Sequence, residues 1–518
     1  MKKIKKSLFT LVSAVLVAAN LAAFASCGIG SGTGDNGGGE VDTTQYTYET
    51  PDTVEITDVV PYDGSEVTVT FYHTMGANLR GVIDKYIPQF NEMYPNITID
   101  HQQMGDYNGV RDQISKELTA KNSPSIAYCY PDHVALYNKA KAVLTLDSYI
   151  ESTATVTKAD GSTEIMGLTK EQREDFALGY YVEGRAYGDD KMYTLPFSKS
   201  TEVLYYNKTY FEANGYEVPK TWDEMEALCK TIKEKTDKVI PLGYDSEANW
   251  FITMTEQMGT PYTSAKKGNH FLFNTEENRE FVKRYSDWYD KGYVITEELN
   301  GGYTSDLFAQ KSPDKAISYM CIGSSAGASY QCPDLVTKQK VDENGDPMVD
   351  ENGDPVMETV YPFEVGIAMI PQANPEKPKV ISQGPSLVLF QKSEQEQAAA
   401  WLWAKFLTTT VNLQAEFSMT SGYAPVINSV TTNSVYADFL ANADGNARLQ
   451  ASCVKQTIAQ QNAFFVSPAF VGSSQARDAV GLLIQTCFVK NDIGNQSVEK
   501  FIENAFEEAI DELEFDFS

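Results

Sequence analysis

Histidine and arginine are scarce in this chain of 518 residues, with four and eight copies. His73, His101, His133 and His270 stand in no metal-ligand spacing with one another. Cys129, Cys229, Cys321, Cys332, Cys453 and Cys487 form no C-x-x-C pair, which excludes the common zinc frameworks. Cys321 and Cys332 could pair in an oxidising compartment; equally, all six suit buried apolar positions. There is no G-x-x-x-x-G-K-[ST], no H-E-x-x-H and no G-x-S-x-G, so the P-loop, zincin and nucleophile-elbow chemistries have no motif to stand on. No cofactor or metal is expected. Basic residues are outnumbered 42 to 71, for a net charge of −29, which argues against nucleic acid because a phosphate backbone needs a Lys/Arg surface. Beyond the N-terminus no apolar run is long enough to span a bilayer.

What is present begins with an N-terminal address. Lys2, Lys3, Lys5 and Lys6 precede an apolar, small-residue stretch, Leu8 to Ala25, so residues 1–26 read as a secretory signal. The following "FASCG" resembles the bacterial lipobox, with an aromatic Phe24 where that pattern prefers an aliphatic residue. The resemblance implies lipidation at Cys27. "GIGSGTGDNGGGE" is a flexible linker, and residues 27–65 are expected to be a tether between lipid and folded body.

The body is long enough for two lobes. "VTVTFYHTMG" reads as a strand, and Leu79, Ile83, Tyr86, Ile87, Phe90 and Met93 follow on one helical face up to Pro95. "ITID" then completes a βαβ unit, which implies a parallel sheet. Helices and short strands alternate from there on, so the class is α/β. Thr221 with Glu224, and Ser393 with Glu396, are capping boxes, and another helix runs from a cap at Asn274 to Gly292. "VDENGDPMVDENGDPV" is an eight-residue tandem repeat with two Asn-Gly turns, an exposed hairpin insertion over about 338–360. Its aspartates lack the twelve-residue spacing and terminal Glu of a calcium loop.

"MYTLPFSKSTEVLYYNKTYFEANGYEVPKTWDEM", Met192 to Met225, and "SEQEQAAAWLWAKFLTTTVNLQAEFSMTSGYAP", Ser393 to Pro425, resemble segments of the extracellular solute-binding proteins of ABC importers. With the first βαβ unit, the resemblance covers most of Val67 to about Ile484. It implies a periplasmic-binding-protein-like fold of two α/β lobes, joined by crossing segments around a ligand cleft that closes on its cargo. The crossings are expected near Leu195 to Leu204, Ala316 to Gly323 and Leu387 to Lys392. Lobe 1 is expected to take 66–197 and 315–388, and lobe 2 198–314 and 389–518. The resemblance further implies an extracytoplasmic monomer, lipid-anchored to the outer face of the membrane or in a periplasm, that hands a small molecule to a membrane permease.

"FYHTMGANL" is most similar to the glycerol-3-phosphate-binding branch of that family. That likeness implies ligand contacts at Tyr107 in "GDYNGV", Ser200 in "PFSKST", Ser324 or Ser325 in "CIGSSAG", Gly384 in "SQGPSL", Tyr423 in "SGYAP" and Arg477 in "SSQARDAV". An arginine fork suits a phosphate, and serine hydroxyls, a glycine amide and tyrosines suit a glycerol skeleton. His73 at the first helix N-terminus and Lys199 beside Ser200 are further candidates. Pro131 stands where the branch has an acidic residue, with Asp132 one position later as a substitute. Taken singly, each residue has an ordinary reading: Arg477 as a surface ion pair, the tyrosines as packing, Ser200 as a turn. The alternatives are a receptor for a neutral mono- or oligosaccharide, a secreted glycoside hydrolase, or a scaffold protein built around the repeat.

Overall fold

The structure is a computed structural model that describes residues 47–517, apart from 237, 266–267 and 311–315. The signal segment, Cys27 and the start of the tether lie outside the described residues. Residues 47–65, expected as tether, are instead a strap laid on the first lobe. Tyr48 donates to the Phe176 carbonyl at 2.7 Å and packs on Tyr181, and Tyr62 is buried with its ring edge-on to Tyr94. A few apolar anchors, Tyr48, Val54 and Tyr62, hold a segment whose mean composition reads as solvated.

The first lobe opens with β1 (Val67–His73), α1 (Ala77–Met93) and β2 (Ile97–Gln103), the two strands running parallel with Val67 opposite Ile97. Val82, Ile83, Tyr86 and Phe90 are the buried face of α1. Next come α2 (Tyr107–Ala120), β3 (Ile126–Cys129), α3 (Pro131–Asn138), α4 (Leu178–Glu183) and β4 (Thr194–Pro196).

The chain crosses at residues 197–199 into the second lobe. There it forms β5 (Ser200–Asn207), α5 (Trp222–Lys235), β6 (Leu242–Tyr244), α6 (Glu247–Met258), α7 (Glu276–Asp290), β7 (Val294–Thr296) and β8 (Met320–Ser324). Thr221 and Glu224 close the capping box on α5. On α7 the cap is Thr275, because Asn274 is engaged by Arg279 at 2.6 Å. A ribbon follows, β9 (Val336–Gln339) antiparallel to β10 (Met357–Val360). Within the tandem repeat, Asp342 and Asp350 each accept two backbone amides and shape identical turns. Then come β11 (Val365–Ala368) and β12 (Val380–Gln383).

The second crossing is the dipeptide Gly384-Pro385, which returns the chain to β13 (Ser386–Leu389), α8 (Glu394–Thr409) and α9 (Val411–Ser421) in the first lobe. Ser393 caps α8, while Glu396 accepts from Ser125 rather than closing a box. The third crossing passes Ala424, which exchanges two hydrogen bonds with Lys199, and leads through α10 (Gly445–Ala459) to β14 (Phe464–Phe465), α11 (Ser473–Val489) and α12 (Val498–Phe517).

The first sheet therefore runs β2-β1-β3-β13-β4 and the second β14-β12-β5-β8-β6-β7, with β11 also on β5. Each sheet has a parallel part made by βα units and an antiparallel part made by the crossing strands. This corrects the expected partition. Within 315–388, strands β8, β11 and β12 join the second sheet; within 389–518, α8 and α9 pack in the first lobe beside β13, with Trp401 and Trp403 in its core. No crossing lies at Ala316 to Gly323 or Leu387 to Lys392: β8 pairs with β5 and β6, and β13 sits between β3 and β4. Short apolar strands look alike along the chain, and their pattern does not say which sheet receives them. The second core gathers Trp222, Trp250, Trp288 and Tyr285. Cys321 and Cys332 are free thiols.

Candidate functional site

In an open α/β sheet, ligands sit beyond the carboxyl ends of the parallel strands. In the first lobe those ends carry the loops with Tyr107 and with Tyr130 to His133. In the second, β6 ends before Asp245, β7 before Glu297 and β8 before Ser325. Strand β5 runs antiparallel to β8, so its first residues, Ser200 to Glu202, lie at the same edge. The two edges face each other across the three crossings, and α3 touches α11.

Asp106 caps α2 by accepting from Gly109 at 2.7 Å, which fixes Tyr107 as its first residue. The Tyr107 ring lies 4.3 Å from that of Tyr130. Tyr423, on the third crossing, is buried beside them; burial pushes its hydroxyl well up, with the Tyr107 hydroxyl and Tyr303 of the second lobe adding to it. Tyr128 stands in the same group, shifted up by burial and then by Tyr107 and Tyr423.

Ser200 is 1% exposed, and its hydroxyl has no hydrogen-bond partner in the protein. It lies opposite Gln383 in the antiparallel ladder, whose side-chain carbonyl also lacks a partner. Residues directly opposed in a ladder share a face. The Tyr128 hydroxyl is a third such buried group. Leaving a buried polar group unsatisfied costs about 1–3 kcal/mol, so this set suits the hydroxyls of a bound solute.

Gly384 has φ +96°, and a Cβ there would lie 2.4 Å from the Ser198 carbonyl oxygen, because two crossings pass in contact at this point. Ser325 is buried and accepts from the Thr201 amide at 3.1 Å, while Ser324 accepts from the Ala326 amide and so shapes its own turn. Asp132 opens α3 and accepts from His133 at 3.0 Å. It shares an electrostatic neighbourhood with Arg111 on α2 and with Arg477 and Asp478 on α11. Arg477 donates through Nη1 to the Asn249 side-chain oxygen at 2.7 Å.

Two candidates are corrected. Lys199 is wholly buried: its ammonium lies 2.6 Å from Glu183 and donates to the Gly384 carbonyl and to Ser386. Adjacent strand residues point to opposite faces, so Lys199 turns to Glu183 while Ser200 takes the other face with Gln383. His73 is also wholly buried: its Nδ1 accepts the Met75 amide, and its Nε2 meets His101 Nδ1 at 2.8 Å. Burial lowers its pKa to about 3, so it carries no charge for an anion. Among the described residues no cluster of His, Cys, Asp and Glu is placed to hold a metal ion.

No motif in the sequence marked Gln383, Tyr128 or Tyr303. Nor did it single out the carboxylates of the second-lobe edge. Burial pushes Glu202 up to about 7, Asp245 to about 6 and Glu247 to about 7; burial and then Asp245, Glu247 and Glu298 push Glu297 to about 9. For Asp245, Glu247 and Glu297, positions just past strand ends, as in "GYDSE" and "VITEE", are the signal that could have found them; Glu202, inside β5, has none.

Two α/β lobes, three crossings and a cleft lined by both lobes define a hinged solute-binding architecture. The sequence profile of the family described as bacterial extracellular solute-binding protein matches residues 85–443, and the chain belongs to that family. The sn-glycerol-3-phosphate-binding periplasmic protein UgpB of Salmonella typhimurium is 27% identical over 239 residues, 45% of this chain and 49% of the relative. The UgpB of Yersinia pestis is 26% identical over 170 residues, 31% and 34% respectively. The chain thus spans between a third and a half of the length of these relatives. Solved structures share the fold. UgpB from Mycobacterium tuberculosis in complex with glycerophosphocholine has a TM-score of 0.63 at 14% identity, covering 87% of this chain and 99% of that one. The sugar-binding protein MalE from Xanthomonas citri has a TM-score of 0.63 at 17% identity, covering 86% and 98%.

Proposed function

We propose that this protein is the extracytoplasmic receptor of an ABC importer, capturing glycerol 3-phosphate or a related glycerophospho compound by lobe closure. The observation that carries the reading is the pairing of two kinds of group in one cleft. Buried acceptors and hydroxyls without protein partners, on Ser200, Gln383 and Tyr128, suit a polyol. An arginine held on a buried asparagine, Arg477 on Asn249, suits a phosphate. Tyr107 and Tyr423 give apolar faces for the carbon skeleton, and Asp132 supplies an acceptor for glycerol hydroxyls. The UgpB relatives named for glycerol 3-phosphate, and the one bound to glycerophosphocholine, agree in ligand class. Delivery to a permease, anchorage through Cys27 and action as a monomer belong to the same proposal.

A second reading, a neutral mono- or oligosaccharide, is favoured by the carboxyl groups of the second-lobe edge, since a carboxyl group hydrogen-bonds sugar hydroxyls whether ionised, as Asp245, or protonated, as Glu297, and neither form attracts phosphate. A melting panel separates the two. A ligand at a hundredfold over its Kd stabilises the folded state by about 2.7 kcal/mol. Glycerol 3-phosphate and glycerophosphocholine are expected to raise Tm, and maltose and monosaccharides are not. A shift with sugars alone would refute the phosphate reading, and hydrolysis of maltose would return the glycoside hydrolase.

A further inference from the structure

Behind Arg477 stands a chain of buried groups linked by hydrogen bonds. Asn249, 1% exposed on α6, accepts from Arg477 Nη1 at 2.7 Å and donates through Nδ2 to Glu202 Oε1 at 2.9 Å. Glu202, also 1% exposed at the start of β5, takes its second bond from the Tyr244 hydroxyl at 2.8 Å. The asparagine amide has one orientation only, since its oxygen must face the guanidinium and its nitrogen the carboxylate. We propose that Glu202, acting through Asn249, positions the Arg477 guanidinium for the anionic group of the ligand; this rests on the phosphate reading above.

A carboxylate inside a sheet edge is expensive unless something needs it there. Its side-chain hydrogen bonds go to Tyr244 and Asn249, and the cation that acts on it by charge among the described residues is Arg477, which lies one residue farther along the chain of bonds. An ionised Glu202 polarises the Asn249 amide, so that its oxygen becomes a stronger acceptor for the guanidinium. That fixes one edge of the fork and aims the plane, which a flexible arginine cannot do alone. Glu202 is faced by Tyr244 and Asp245 at the end of β6, by Asn249 on α6 and by Arg477 on α11. Burial pushes its carboxyl up to about 7, against the Tyr244 and Asn249 bonds and the Arg477 charge that pull it down, while Asp245 adds to the rise. Positioning by charge is therefore present above that value and lost below it.

The test measures the affinity of the full chain for sn-glycerol 3-phosphate by calorimetry, at about pH 8.5 and about pH 5.5, in wild type, Glu202→Gln, Asn249→Ser and Arg477→Ala. Glu202→Gln keeps the size and the acceptor for Asn249, reverses the Tyr244 bond so that the amide donates to the hydroxyl, and removes the charge; it is expected to weaken binding about 5- to 10-fold at the higher pH. At the lower pH wild type is itself protonated, so the ratio is expected to approach about 1. The ligand's own titration cancels in that ratio. Asn249→Ser, which cuts the link and leaves Glu202 on Tyr244, is expected to match the loss at high pH. A ratio equal at both pH values, or an Asn249→Ser variant that binds as wild type does, overturns the positioning role. Affinity unchanged in Arg477→Ala, or no binding by wild type, instead overturns the phosphate reading itself.

Discussion

Replacing Lys199 by methionine tests what holds the two lobes at their pivot. Lys199 is on the first crossing, bonds the Gly384 carbonyl and Ser386 around the second, and exchanges backbone hydrogen bonds with Ala424 on the third. Its charge partner, Glu183 at the end of α4, is 1% exposed and 2.6 Å away. Two opposite charges at that separation attract by about 6 kcal/mol at an effective dielectric of about 20. Much of this is offset by desolvation of both ions, which alone pushes the Glu183 carboxyl up against the pull of Lys199. Lys199→Met removes the attraction and keeps the cost of burying Glu183, so the expected loss is about 3–5 kcal/mol. Lys199→Met with Glu183→Leu removes both charges and fills the space, and is expected to recover most of that loss. Urea unfolding gives the numbers, with m unchanged if the fold is intact. A single variant costing less than about 1 kcal/mol would refute the hinge ion pair, as would a double variant no better than the single.

Gly384→Ala places a Cβ 2.4 Å from the Ser198 carbonyl oxygen and 2.9 Å from Lys199 Cα at φ +96°; a loss of about 2–4 kcal/mol in urea is expected, and one below about 1 kcal/mol would remove the close approach. Stability is expected to fall as pH rises from about 4.5 to about 7, because Glu202, Asp245 and Glu247 hold protons in the folded chain that they release when unfolded. Each unit of upward shift contributes up to about 1.4 kcal/mol, so Tm should be several degrees lower at about pH 8 than at about pH 5.5, and a flat or rising profile would contradict the burial of these groups. Tyr62→Ala should cost about 2–4 kcal/mol if residues 47–65 are a packed strap; a tether would lose nothing.

Local signals were legible because they are carried by neighbours in the chain. The face of α1, the Thr221–Glu224 box and the paired turns of the repeat each follow from residues within four positions of one another. Lobe membership was not legible beyond the first crossing. β12 and β13 are four-residue strands separated by Gly384-Pro385, and they enter different sheets. Nothing in "VISQGPSLVL" distinguishes that from a hairpin, because the deciding partners are Thr201 on one side and Cys129 on the other, far off in sequence.

The candidate site shows the same limit at the scale of one residue. In "PFSKST" every polar side chain has the chemistry to touch a ligand, and chemistry was all the sequence offered. Strand alternation then separates them. Ser200 faces Gln383, and both present buried groups without protein partners, while Lys199 turns inward to Glu183 and becomes part of the pivot. A shift of one position in register would exchange the two roles, placing a cation in the cleft and a serine against a buried carboxylate. The register is held by the ladders of β5 with β8, β11 and β12, and the exchange of hydrogen bonds between Lys199 and Ala424, next to Tyr423 on the third crossing, adds to them. The residue that joins the crossings thus also stands next to the buried Ser200 and Gln383 pair, so a shift in hinge geometry is expected to move those two groups with the backbone of Lys199.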